Sequence, residues 1–120
     1  MKKILVIDDD ELVLKSVNKV LIREGYQTSL AQNAQEAIEK AQQEQFDLII
    51  SDIRMPGKNG VETIHEIRKL FDEKVRKDIP IIFITAYAGM NDQLKAEYLG
   101  EVILKPFDID QLIMTVREYL

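Results

Sequence analysis

Asp8, Asp9 and Asp10, with Glu11 behind them, follow directly on the apolar run ILVI at 4–7, and Asp52 follows LIIS at 48–51. Thr85 stands in the same way behind IIFI at 81–84, and Lys105 behind VIL at 102–104. If those runs are neighbouring strands, their ends deliver three carboxylates, a hydroxyl and an ammonium to one place. Two like charges ~4 Å apart repel by roughly 4 kcal/mol at an effective dielectric of 20. Asp8, Asp9 and Asp52 together therefore require a cation, or protonation of one member. One lysine offsets part of the charge. A hard divalent ion offsets the rest, and carboxylate, backbone carbonyl and water are the donors that Mg²⁺ accepts. A carboxylate beside such an ion, with a hydroxyl and an ammonium at hand, suggests a nucleophile for phosphoryl transfer that forms an acyl phosphate on aspartate. Asp52 is the nucleophile candidate, alone on its strand and facing the acidic pair. The ion, Thr85 and Lys105 would hold the phosphoryl oxygens, so catalysis would be positioning and electrostatics.

The elements that must gather these groups are legible in the hydrophobic pattern. Residues 4–7 form a continuous apolar run, the mark of a strand covered on both faces. A helical stripe follows over 12–24, with Val13, Val17, Val20 and Leu21 on one face and Gly25 as a stop. Residues 27–31 make a weaker strand. Asn33 and Glu36 read as a capping box opening a helix with Ala37, Ile38 and Ala41 inward. Residues 46–51 are the next buried strand. After a loop rich in Pro and Gly, apolar residues at 61, 64, 67, 70 and 71 mark a helix over 61–71. A strand over 80–84 begins at Pro80, where a missing donor is tolerated. A short helix over 91–99 and a short strand over 102–104 follow. Asp108 and Gln111 read as a second capping box, opening a helix with Leu112, Ile113, Val116 and Tyr119 inward.

Five rounds of strand and helix imply an α/β fold: a parallel sheet, helices on both faces and right-handed crossovers. A closed eight-fold barrel would need about twice the length, so an open, doubly wound sheet is expected. Ligands of such sheets bind beyond the carboxyl ends of the strands, where the strand order reverses. That is the edge at which the acids, Thr85 and Lys105 fall.

At 120 residues the chain has the length of a single domain. It is 46% apolar and 31% charged, a balance typical of soluble globular proteins. Without cysteine it has no disulfide, thiolate metal site or cysteine nucleophile. A net charge of −5 argues against direct nucleic-acid binding, which wants a basic face. No apolar run is long enough for a membrane span and no signal peptide is evident, so a cytoplasmic address is expected.

The segments VIDD, DLIISDIRMPGKNG, FITAY and LKPF, in this order and spacing, resemble the receiver domain of bacterial two-component response regulators. The resemblance covers residues 3–120 and implies one receiver domain over 1–120, with a flavodoxin-like sheet of strand order 2-1-3-4-5 and five helices. It implies that Asp52 accepts a phosphoryl group from the phosphohistidine of a sensor histidine kinase or phosphotransfer protein. It further implies Mg²⁺, replaceable by Mn²⁺, on Asp9, Asp52 and the backbone carbonyl of Arg54, with Asp8 holding it through water. Thr85 matches the switch hydroxyl and Lys105 the lysine paired with the phosphoryl group, and the Lys105–Pro106 bond is expected to be cis. Arg54 and Tyr87 match positions that flank the phosphoryl group and tune its lifetime. Such a protein catalyses its own phosphorylation and slow dephosphorylation, with no separate substrate. A C-terminal output domain outside this chain and a dimer formed on phosphorylation are both compatible with the family. The sequence departs from the family pattern at Val102, where an aromatic residue is usual, and in the short stretch LGEVILKPF. Asn59 replaces a common aspartate at a turn position that suits both.

Other readings fit less well. A flavin or nucleotide carrier needs a phosphate cradle after the first strand, where this chain has DDDE. An aspartyl phosphohydrolase commonly carries a second aspartate two residues on, where this chain has Arg54. The alternative kept is an unphosphorylated, receiver-like protein-binding module. Asp10 and Glu11 are read as serving the first helix, as cap and as charges at its positive end. His65, the single histidine, is read as an exposed structural residue.

Overall fold

The computed structural model describes residues 1–70, 79–86 and 90–120. Strands and helices alternate: β1 Lys3–Ile7, α1 Glu11–Arg23, β2 Gln27–Ala31, α2 Ala34–Gln43, β3 Leu48–Ser51, α3 Gly60–Leu70, β4 Ile81–Thr85, α4 Met90–Leu99, β5 Glu101–Leu104 and α5 Ile109–Tyr119. The five strands form one parallel sheet in the order β2-β1-β3-β4-β5. The expected α/β fold, its strand order and its five helices are all present.

Alternation along the buried strands divides the core into two layers. Leu5, Ile7, Ile49 and Phe83 pack with Ala37, Ile64, Ile67 and Ala96 of α2, α3 and α4. Ile4, Val6, Ile50, Ile82 and Ile84 pack with Leu14, Val17, Leu112 and Val116 of α1 and α5. Each run of isoleucine and valine thus faces helices on both sides, which is why it carries no polar alternation.

The helix faces differ in detail from their expected stripes. In α1 the buried set is Leu14, Val17 and Leu21, with Val13 and Val20 at its margin. Spacings of three and four put Leu14, Val17 and Leu21 on one face. In α2 the Asn33 cap is as expected, its Oδ1 accepting from the Glu36 N–H at 2.8 Å, but Glu36 reaches back to the N–H of Gln32, one residue before the cap. The Asp108 cap is simpler than a box, since its carboxylate accepts from the N–H of Asp110. Tyr119 lies outward and donates its hydroxyl to Glu101. Phe71, expected on the α3 stripe, lies outside the described residues.

The short link into β5 is explained by Gly100. A Cβ there would lie 2.2 Å from the carbonyl oxygen of Ile81, so the chain passes from α4 into the sheet hard against β4. Among the described residues no helix is long and apolar enough to cross a membrane.

Candidate functional site

The strand order reverses between β1 and β3, because β1 leads outward to β2 while β3 leads to β4 and β5. Their carboxyl ends open on one edge, and register decides what meets there. Ile7 pairs with Ser51, so Asp8 and Asp52 emerge side by side. Thr85 pairs with Leu104, and Lys105 donates its backbone N–H to the Thr85 carbonyl at 2.8 Å, so its side chain leaves the sheet one strand further on.

Lys105 Nζ lies 3.2 Å from Asp8 Oδ2 and 3.3 Å from Asp52 Oδ2, bridging residues that are 97 and 53 positions away in sequence. Both carboxylates are buried, with Asp8 3% and Asp52 7% exposed. Carboxylate oxygens of Asp8, Asp9 and Asp52 all lie within 4.8 Å of one another, and Asp9 is exposed on the open side. The backbone of Asp10 donates to Asp8 Oδ1 at 2.9 Å, and that of Arg54 to Asp52 Oδ1 at 3.3 Å.

The charge is incompletely balanced. Burial pushes the Asp8 carboxyl from 3.8 up to about 6; the Asp10 N–H opposes this, the Asp52 charge adds to it, and Lys105 opposes it. For Lys105, burial works against the charged form, but the carboxylates of Asp52 and Asp8 outweigh it and hold the ammonium above its ordinary pKa. A single ammonium between two buried carboxylates, with a third beside them, leaves room in the electrostatics for a divalent cation. Three carboxylates converging on one open edge are the oxygen donors that Mg²⁺ takes, so the residues fit the ion.

Thr85 is fully buried, and its hydroxyl has no hydrogen-bond partner among the described residues. A buried hydroxyl left unpaired is costly and calls for an explanation. Asp10 caps α1 through Oδ1 with the N–H of Leu12 at 2.9 Å, and Glu11 occupies the first turn, so both serve the helix as expected. His65 is exposed. The Lys105–Pro106 bond is cis. Val102 is half-buried against the layer containing Phe83. Tyr87 lies outside the described residues.

Gly60, Glu62 and Ser51 hold the site and were missed in the sequence, and Asn59 was read there only as a turn residue. Gly60 lies under the Asp52 backbone, where a Cβ would come within 2.0 Å of the Asp52 carbonyl oxygen. Asn59 and Glu62 form a reciprocal capping box at the start of α3, both bonds 2.9 Å. The signal was available as N-x-x-E before an apolar stripe. Ser51, fully buried, donates its hydroxyl to the same Asp52 carbonyl at 2.8 Å. Lys58 adds an ion pair to Glu66 of α3. Between this loop and α4 lies a cleft of about 460 Å³ lined by Ile53, Arg54, Met55, Pro56, Asn59 and Asp92.

The model of the response regulator receiver domain matches residues 4–117. The chain is 35% identical to the sporulation initiation phosphotransferase F of Bacillus subtilis, over 99% of this chain and 94% of that protein. It is 34% identical to the probable transcriptional regulator ycf29 of Pyropia yezoensis over 98% of its own length, but spans only 53% of that relative. Among solved structures, a CheY-like receiver domain protein of Methanospirillum hungatei superposes with a TM-score of 0.88 at 31% identity, covering 98% of this chain and 92% of that one. The response regulator TrrA of Thermotoga maritima, in complex with Mg²⁺-BeF, gives 0.86 at 38% identity, with full coverage of both chains. The edge built from Asp8, Asp9, Asp52, Thr85 and Lys105 is thus found on a chain that matches this family from β1 to α5, and the protein belongs to the response regulator receiver domain family.

Proposed function

We propose that this chain is a phosphorylation-switched receiver in which Asp52 is the phospho-acceptor. The observation that carries the reading is the Lys105 ammonium set between the Asp8 and Asp52 carboxylates, with the Asp9 carboxylate within 4.8 Å on the open side. Asp52 attacks phosphorus on a phosphohistidine of a sensor kinase or phosphotransfer protein. A P–O bond forms to Asp52, the P–N bond breaks, and the leaving imidazole nitrogen keeps the electron pair. Lys105 is already aimed at the Asp52 oxygen and pairs with the incoming phosphoryl oxygens. The buried Thr85 hydroxyl, unpaired among the described residues, gains an acceptor when it turns to the new group. Asp9, Asp52 and the Arg54 carbonyl would hold Mg²⁺, with Asp8 acting through water. When bound, the ion neutralises carboxylate and phosphoryl charge at the reacting centre. Phosphorylation adds roughly −1.5 to −2 charges, which shifts the population of conformations in the loops after β3 and β4.

The whole of 1–120 acts as this one receiver. Relatives much longer than this chain make an output domain beyond it a natural partner.

The test is intact mass after incubation with acetyl phosphate and Mg²⁺. A single phosphoryl adduct on wild type, absent from Asp52→Asn, is the expected result. An adduct that survives Asp52→Asn, or none on wild type, rejects the reading. Asp9→Ala should abolish the adduct and Mg²⁺ binding, while Glu11→Ala, which touches only the helix start, leaves both nearly intact.

A further inference from the structure

Ser51 closes the buried run LIIS, and a hydroxyl is out of place there on grounds of burial alone. Burying a hydroxyl among isoleucines is unfavourable unless it makes a hydrogen bond. Its bond goes to the backbone carbonyl of Asp52 at 2.8 Å. The register explains the need. Ser51 is the last residue of β3 in the ladders, opposite Ile7 of β1 and Phe83 of β4. Asp52 still donates its N–H to the Ile7 carbonyl at 2.9 Å, but its own carbonyl lies past the last paired residue. Gly60 covers that carbonyl from the α3 side, and its N–H is spent on the next carbonyl, that of Ile53, at 2.8 Å.

We propose that Ser51 is a positioning residue for phosphorylation at Asp52. Its hydroxyl takes the place of the missing strand partner and fixes the peptide between Asp52 and Ile53. That peptide is held from one side by the Ser51 hydroxyl and from the other by contact with Gly60. Its orientation sets the direction in which the Asp52 side chain leaves the backbone. It also sets the course of the chain to Arg54, whose N–H steadies Asp52 Oδ1 at 3.3 Å. An acceptor held in this way meets phosphorus along one line of attack, and loss of such alignment costs rate more than affinity.

The inference rests on the reading of Asp52 as phospho-acceptor, and the experiment separates the two. The rate of adduct formation from acetyl phosphate is measured by intact mass at saturating Mg²⁺ for wild type, Ser51→Ala, Ser51→Thr and Ser51→Val. Thr and Val have nearly the same shape, so their difference reports the hydroxyl and not the added bulk. Ser51→Thr is expected to react at close to the wild-type rate, and Ser51→Val and Ser51→Ala about tenfold more slowly in maximal rate, with little change in the donor concentration giving half that rate. If Ser51→Val fails to fold, Ser51→Ala against Ser51→Thr carries the comparison. Ala and Thr variants that react equally fast overturn the role of Ser51 and leave Asp52 as acceptor. A wild type without adduct, or an adduct that persists in Asp52→Asn, overturns both.

Discussion

Gly60 lies directly against the backbone carbonyl of Asp52, so that a side chain at 60 would begin 2.0 Å from the oxygen. The contact ties the first residue of α3 to the candidate phospho-acceptor. Gly60 is not among the glycines with positive φ, so the constraint is space and not backbone conformation. Gly60→Ala must therefore push α3 away from β3 or turn the Asp52 peptide. Overpacking of this kind costs about 1–3 kcal/mol, measurable by urea unfolding, and phosphorylation at Asp52 should slow in parallel. Wild-type stability in Gly60→Ala would show that the contact yields without cost.

The capping box at the same helix start makes a separable prediction. Asn59 Oδ1 accepts from the Glu62 N–H, Glu62 accepts from the Asn59 N–H, and Thr63 donates its hydroxyl to the Asn59 carbonyl. Asn59→Ala removes the cap acceptor and should cost about 1 kcal/mol. Asn59→Asp keeps the acceptor and adds a charge at the positive end of α3, so it should match or exceed wild type. Equal losses in both variants would mean that the carboxamide N–H₂ matters more than the oxygen.

The parts of this architecture legible in the sequence are those set by burial and by local caps. Ile4 to Ile7 and Leu48 to Ile50 have helices on both sides and so read as unbroken apolar runs. Asp8, Asp52, Thr85 and Lys105 could be placed on one edge because each follows such a run. Distances could not be read, since Lys105 and Asp8 are 97 residues apart and meet only through the register of four strands. Ser51 and Gly60 escaped notice for another reason. Their partner is a backbone carbonyl, which every residue possesses and no motif announces. The outward turn of Tyr119 was missed because helical spacing alone cannot tell a core position from one paired with Glu101 at the surface.

Removing the ammonium should make the protein depend on metal. In Lys105→Met, Asp8 and Asp52 face each other with no cation between them. A lysine whose side chain is still 20% exposed is partly screened by water, so the loss in metal-free buffer should be about 1–3 kcal/mol. In the proposed site Mg²⁺ would compensate the same carboxylates, so the gap from wild type should narrow as the ion is added. Urea unfolding with EDTA and with saturating Mg²⁺ measures both. An unchanged gap would mean that ion and lysine do not answer the same charge.

The buried Asp8 carboxyl predicts the sign of a pH dependence in metal-free protein. Its folded pKa is about 6 against an ordinary 3.8, because burial disfavours the charged form. Between those values the folded state holds a proton that the unfolded state has released. Stability therefore falls as pH rises from 3.8 to about 6, by up to roughly 2–3 kcal/mol, and this contribution is level above that window. Other carboxylates act in the opposite sense; Glu44, held below its ordinary pKa chiefly by its bond from Lys3, stabilises at higher pH and loses that contribution on acidification. The Asp8 contribution is isolated by subtracting the profile of Asp8→Asn, which carries the same shape without the charge. The difference should favour the wild type at pH 4 relative to pH 7, and saturating Mg²⁺ should flatten it, since the ion takes the place of the proton. A difference profile that is flat without metal, or that rises with pH, would show that Lys105 and the Asp10 N–H already compensate the buried charge in full.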